Sequence, residues 1–340
     1  MRALITGAAG FIGSHLAKKL SKAGHEIICC DDLNDYYDIE LKLGRLLELG
    51  FDKKSIPQKK NSDVCAHNGN LKFYYGSICN KQFLEYIFQK ENFDIVINLA
   101  AQAGVRYSIK YPQSYVDSNI TGFLNILEAS KKFNISNICY ASSSSVYGLS
   151  ANFPLDLTMR TDHPISIYAA SKKSNELFAN TYASLYKMSI IGLRFFTVYG
   201  PWGRPDMALF KFTKAAYEDK PINIYNHGEM ERDFTYIDDI SNGIVLAAEY
   251  NLNTQDVFTH EIFNLGNSSP EKISSLLKAI EINTGKTLKK DYLDMQPGDV
   301  KKTYADISKS QEAFNFKPTV NLEIGIAQFV SWYKEFYSMN

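Results

Sequence analysis

The sequence predicts an α/β protein with a doubly wound parallel sheet, followed by a smaller C-terminal α/β lobe. Three observations predict it. Short apolar runs alternate with helix-period segments through the first half of the chain. The glycine turn Gly7-Ala8-Ala9-Gly10-Phe11-Ile12-Gly13 joins the first such run to the first helix. After Phe196 the alternation weakens and Gly, Pro and aromatic residues cluster (VYGPWGRPD), the mark of a second lobe.

Ala3–Thr6 is the first strand, and Leu16, Ala17, Leu20 and Ala23 mark one face of a helix closed by Gly24. Glu26–Cys30 and Leu71–Tyr75 are the next strands. Between them Lys53–Asn70, with its Lys, Asn, Ser and Pro, reads as a surface loop without chemistry. Asp94–Ala100, Asn137–Ser143 and Ser189–Phe196 continue the strand series, with longer helices over Tyr115–Phe133 and Ser171–Lys187. Strand, helix, strand in repetition means parallel pairing. Residues 1–192 are expected to bind a nucleotide and carry the catalytic groups, and residues 193–340 to bind the substrate.

The 340 residues allow two domains or one large unit with a lobe. Lys plus Arg and Asp plus Glu number 37 each, so the net charge is zero, and bulk charge points to neither nucleic acid nor an anionic membrane. Hydrophobic content of 45% with 22% charged residues argues against disorder. Five cysteines without a C-x-x-C pair read as small buried hydrophobes in a reducing compartment. No run approaches the roughly 18 apolar residues of a membrane span and no export signal is visible, so the expected location is the cytoplasm. Six scattered histidines without metal-ligand spacing predict no catalytic metal.

The glycines permit a tight turn, close backbone approach to a pyrophosphate and close helix-to-strand packing, while the helix N-terminus favours the phosphates. Asp31 follows the second strand, 18 residues after Gly13. There a carboxylate binds a ribose diol and repels a 2′-phosphate, which predicts NAD rather than NADP. Tyr168 and Lys172 are four residues apart, on one face of a helical turn, where a cation favours phenolate. Ser142-Ser-Ser-Ser-Val-Tyr-Gly148 ends the fifth strand, at the edge where open parallel sheets place ligands.

The G-x-x-G-x-x-G spacing and Asn98-Leu-Ala-Ala-Gln102 resemble the extended short-chain dehydrogenase/reductase superfamily, with its Rossmann-type fold. The resemblance implies NAD bound by Gly7, Gly10, Phe11, Ile12, Gly13, Asp31, Leu99, Ala100, Asn119, Tyr168 and Lys172. At Gly76-Ser77-Ile78 the chain departs from relatives that place an adenine-contacting Asp there. The implied catalytic set is Ser143, which shares a hydrogen bond with the sugar O4, Tyr168 as proton acceptor and Lys172 as the group that tunes it. Ser142 is the alternative serine. Ser144-Ser145 replace the acids that related dehydratases and decarboxylases carry before V-Y-G.

Arg194–Met207, Tyr225–Asp239, Asp32–Asp38 and Met295–Val300 resemble the UDP-glucuronate 4-epimerase family, over nearly the whole chain. This implies interconversion of UDP-glucuronate and UDP-galacturonate through a 4-keto sugar with tightly held NAD. Arg232 would serve the UDP pyrophosphate and Asp299 the uridine ribose. Thr197 and Arg204, with Arg106 as a further candidate, would hold the C5 carboxylate, although each Arg also reads as a surface ion pair. Trp202 and the many tyrosines read as packing. The family implies a homodimer through the two long helices, whose apolar stripes core packing explains equally well. The alternatives are a 4-epimerase of neutral UDP-hexoses or UDP-N-acetylhexosamines, and an NAD-binding regulator without turnover.

Overall fold

The computed structural model describes residues 1–150, 152–254, 259–296 and 298–339, so Pro297 of the Met295–Val300 string lies outside the described residues. The first half runs β1 (Arg2–Thr6), α1 (Phe11–Lys22), β2 (Glu26–Asp31), α2 (Ile39–Glu48), β3 (Cys65–Asn68), β4 (Leu71–Tyr75), α3 (Lys81–Lys90) and β5 (Ile95–Asn98). Then come α4 (Val105–Lys110), α5 (Pro112–Tyr115), a π-helical segment (Val116–Thr121), α6 (Gly122–Lys132), β6 (Asn137–Ser143), α7 (Ile167–Tyr186) and β7 (Ser189–Phe195). The remainder is β8 (Thr197–Tyr199), α8 (Ala208–Tyr217), β9 (Ile222–Tyr225), β10 (Glu231–Tyr236), α9 (Ile237–Asn253) and β11 (His260–Leu265). It closes with β12 (Pro270–Lys272), α10 (Ile273–Thr284), β13 (Lys290–Leu293), α11 (Ser308–Phe314) and α12 (Leu322–Phe336).

The main sheet has the order β11-β7-β6-β5-β1-β2-β4-β3. Every pairing is parallel except β3 on β4. All residues of β5 and β7 are buried, as strands covered by helices on both faces require. Chain progression reverses at β1, between β2 and β5, and the crevice at such a switch point is where open sheets take ligands.

Two expectations need amendment. Part of Lys53–Asn70 is sheet: Cys65–Asn68 pairs with β4 across a two-residue connection, in which Gly69 has φ +55°. Gly69-Asn70 is a two-residue hairpin signal that the loop's polar composition hides. The boundary expected after residue 192 falls inside β7, and β11 returns to the main sheet beside it, so this layer draws on chain from both sides of that point. Cys29, Cys30 and Cys139 are buried as expected, whereas Cys79 is exposed.

Two small sheets, β12-β10-β8 and β13-β9, form the second layer. Trp202 is a packing residue there, tilted against Trp332 and edge-on to Phe336, while the buried Arg45 ties its carbonyl to that of Ala9. Among the described residues no helix is long and apolar enough to cross a membrane.

Candidate active site

At the end of β1 the chain turns so tightly that side chains are excluded. A Cβ on Gly7, whose φ is +69°, would lie 2.8 Å from the Ala100 nitrogen, and one on Gly13 would lie 2.1 Å from the Gly7 carbonyl oxygen. The turn is closed by the Gly10 N–H donating to Gly7 O at 3.0 Å. Helix α1 starts at Gly10 with no side-chain cap and no acid in its first turn, which leaves its N–H groups and positive dipole end for an anion. Phe11 and Ile12 line the same cleft. Thr6 ties the turn to β5: its hydroxyl donates to Asn98 Oδ1 at 2.7 Å and accepts from the Ala100 N–H.

Asp31 ends β2 in a buried position and accepts from the N–H groups of Ala9 (3.0 Å) and Leu33 (2.9 Å). Burial pushes its carboxyl above the ordinary range, with the Lys42 ammonium pulling the other way. Leu99 and Ala100 line the cleft where β5 ends. Asn119 works one layer back: its amide bonds both backbone groups of Gln102 and the Ser171 hydroxyl, which locks the β5 loop to α7. This cradle, too narrow for any Cβ and followed by a buried carboxylate, fits a dinucleotide pyrophosphate and its adenosine ribose.

Ser166 caps α7 by accepting from the Ala169 N–H, which places Tyr168 in the first turn and Lys172 one turn on. Because β6 alternates faces, its last two serines part company. Ser142 donates to the buried Glu176 at 2.8 Å, and Glu176 holds Arg194 bidentately at 2.8 and 2.9 Å. Ser143 lines the cleft, where its hydroxyl donates to the Ser145 hydroxyl at 3.1 Å and accepts from the Ser145 N–H at 3.1 Å. Burial raises the Tyr168 phenol, while the Ser143 hydroxyl and the Arg204 guanidinium pull it down. The buried Lys172 donates to the Ala141 carbonyl at 2.7 Å, and desolvation draws its ammonium down to about 7. In this arrangement Arg204 is the cation that acts on the phenol.

Arg204 is held by Asp206 through Nε and Nη2, both at 2.9 Å, and the Tyr36 hydroxyl donates to the same carboxylate at 3.3 Å. Tyr36 packs on Tyr107 and Tyr115 on Tyr168, with ring centroids 4.7 and 6.0 Å apart. Thr197 opens β8 on the cleft wall. The other end gathers Arg232, Asp299, Arg106 and Tyr225. Arg106 donates to Asp299 at 2.7 Å with its guanidinium 4.8 Å from the Tyr225 ring centroid, and Arg232 is bonded to the carbonyls of Glu231 and Lys301. Burial lowers the Arg232 guanidinium, with Asp299 opposing. One continuous cleft of about 1520 Å³ connects all these groups. That exceeds the ~300–1,000 Å³ of a site for one small ligand.

Comparison with known proteins agrees with this geometry. Residues 3–266 match the model of the NAD dependent epimerase/dehydratase family. The chain belongs to that family. It is an NAD-dependent sugar-nucleotide epimerase. Protein CapI of Staphylococcus aureus is 48% identical over 99% of both chains. The UDP-glucuronate 4-epimerase of Thermodesulfobacterium geofontis is 44% identical over 98% of this chain and 96% of its own. The crystal structure of UDP-glucuronic acid 4-epimerase from Bacillus cereus, in complex with UDP-glucuronic acid and NAD, matches with a TM-score of 0.87 at 34% identity. That match covers 99% of this chain and 100% of the other.

Within this epimerase the expected residues fall into three groups. The glycines, Asp31, Leu99 and Ala100 surround the cradle; Ser143 and Arg204 act on Tyr168, one helical turn from Lys172; Arg232 and Asp299 act on each other; and Thr197 lines the same cleft. Arg106 pairs with Asp299 and packs on Tyr225 in the same cleft. Sequence reasoning missed Asp206, Tyr36 and Tyr225 as site residues. Their one signal was position, since all three lie in or beside the strings that carry the family resemblance.

Proposed function

We propose that this epimerase interconverts UDP-glucuronate and UDP-galacturonate. The observation that carries the reading is Arg204, a guanidinium near enough to Tyr168 to act on its phenol, in the cleft that Thr197 also lines. A cation there suits a sugar that carries a carboxylate one carbon from the reacting C4. Ser144 and Ser145 stand where a dehydratase or decarboxylase would need an acid, and a 4-epimerase needs none.

In this reading Gly7, Gly10, Gly13 and Asp31 hold NAD, which when bound supplies reversible oxidation at C4. Tyr168 takes the O4 proton and returns it, with the Ser143 hydroxyl sharing that hydrogen bond. Arg232 and Asp299 anchor UDP firmly, so that the 4-keto sugar turns about the pyrophosphate and presents its other face. The keto sugar is a β-keto acid, which loses CO2 when the carboxylate bond aligns with the carbonyl π system. Thr197 and Arg204 hold the carboxylate out of that alignment.

A homodimer through the helices over residues 115–133 and 171–187 belongs to the same proposal. It is supported by Leu177 and Leu185 of α7, which are 57% and 65% exposed, and light scattering tests it.

One observation favours a second reading. Asp206 already neutralises Arg204, and a charge-balanced pair also accommodates a neutral UDP-hexose or UDP-N-acetylhexosamine. Incubation of the purified protein, without added cofactor, with UDP-glucuronate decides between them by chromatography. Appearance of UDP-galacturonate approaching a fixed ratio is expected. Conversion of UDP-galactose or UDP-N-acetylglucosamine with none of UDP-glucuronate would overturn the carboxylate assignment.

A further inference from the structure

The segment before β3, which reads as a plain surface loop, is fastened at two strand ends of the main sheet. Asn61 sits in the left-handed region (φ +59°), donates its N–H to the Tyr75 carbonyl at 2.8 Å and accepts from the Ser77 N–H through Oδ1 at 2.8 Å. Its neighbour Lys60 reaches the Asp32 carboxylate at 3.2 Å. One dipeptide therefore bridges the end of β2, at Asp32, and the end of β4, at Tyr75 to Ser77.

Those two ends matter because of the sheet order. Asp31 marks the ribose position at the end of β2, and β4 is the next strand outward from the glycine cradle. A base carried by that ribose extends over the β2 and β4 ends, and Gly76, Ser77, Ile78 and Cys79 line the cleft there. The same turn is held from behind by Asn125, whose amide donates to the carbonyls of Ile78 (3.0 Å) and Cys79 (3.3 Å). Asn61 and Asn125 thus fix the 77–79 backbone from two sides. A Cβ at Gly76 would lie 2.2 Å from the Phe83 ring and 2.8 Å from Asn61 Oδ1, so the turn is enclosed by Phe83 and by this segment.

We propose that Asn61 is a positioning residue for NAD, holding the 77–79 backbone as the wall against which the adenine is bound, and thereby setting how tightly the cofactor is retained. The proposal rests on the adenosine placement given by Asp31. Lys60 contributes less, because its ion pair with Asp32 is partly exposed and such pairs are worth little.

Asn61→Gly is the informative variant: glycine tolerates the positive φ and removes only the acceptor. Asn61→Asp keeps an acceptor in a residue that also tolerates this conformation. The purified proteins are diluted and filtered over a time course, remaining NAD is assayed after acid release, and UDP affinity is measured by calorimetry on the same samples. The expected result is NAD loss about fivefold faster for N61G than for wild type, the fold-change one net hydrogen bond supports. UDP affinity should be unchanged and N61D near wild type. Equal NAD retention by N61G and wild type would overturn the proposal. Parallel loss of NAD, UDP affinity and thermal stability would also overturn it, since that pattern marks general unfolding. A wild-type chain that takes up no NAD in the same assay would sink the adenosine placement, and this proposal with it.

Discussion

Asp206 occupies two of the three nitrogens of the Arg204 guanidinium, with both contacts at 2.9 Å. The guanidinium that acts on the Tyr168 phenol is therefore held and charge-balanced by a carboxylate two residues along the chain. Arg204 draws the phenol's ionisation down and Asp206 raises it. Asp206→Asn keeps the shape and removes the opposing charge. The KM for UDP-glucuronate should then fall roughly threefold to tenfold, the worth of about 1 kcal/mol. The acid limb of the kcat profile should move to lower pH, because Tyr168 ionises more easily. A KM for UDP-glucuronate that rises instead would show that Asp206 serves to aim Arg204 rather than to balance it.

In the proposed reaction Thr197 and Arg204 divide the work of holding the sugar carboxylate. Thr197→Ala leaves the charge in place but loosens orientation, so UDP-pentose by-products should increase while UDP-glucuronate is still consumed. Unchanged product purity in a chromatographic time course would count against the orientation argument. Arg204→Leu removes a charged hydrogen-bonding partner and should raise the KM for UDP-glucuronate about 30-fold or more. Affinity for UDP alone, measured by calorimetry, should stay at the wild-type value.

The two serines that end β6 make a paired test. Ser143→Ala removes the hydroxyl beside Tyr168 and should lower kcat by roughly 10²-fold or more, with NAD content unchanged. Ser142→Ala takes a donor from the buried Glu176 and should leave kcat near wild type while costing about 1–2 kcal/mol of stability in urea melts. A loss of turnover in Ser142→Ala with Ser143→Ala still active would reverse the assignment.

The main sheet was legible because its strands are buried on both faces: Glu26–Cys30 was expected and Glu26–Asp31 is found, and Asn137–Ser143 agrees at both ends. His260–Leu265 escaped notice because its first three residues are only half-buried and its partner β7 lies far earlier in the chain. Tyr115–Phe133 reads as one helix, yet Val116–Thr121 is π-helical, and Asn175 on α7 satisfies the Asn119 carbonyl at 2.6 Å. No local pattern announces a partner on another helix. The glycine cradle and the Tyr168 and Lys172 pair were readable because their chemistry needs fixed local spacing. The pairing of Arg106 with Asp299 was not legible, because the two are 193 residues apart and only the folded chain brings them together.

Lys172 makes a test that separates stability from turnover. Its ammonium is buried and titrates near 7, against ~10.4 in an unfolded chain. Between those values the unfolded state binds the extra proton, so the folded state loses stability as pH falls from ~10.4 to about 7, and the penalty is complete below that. Lys172→Met removes the penalty. In the NAD-free protein the variant should be more stable than wild type at pH 6, by on the order of 4–5 kcal/mol, and the advantage should shrink towards zero by pH ~10. In the proposed reaction turnover should also be lost at every pH, because Lys172 belongs to the catalytic set with Ser143 and Tyr168. Urea melts of both proteins at the two pH values measure the difference, and an advantage that grew with pH would mean that Lys172 is stabilised as a cation in the fold.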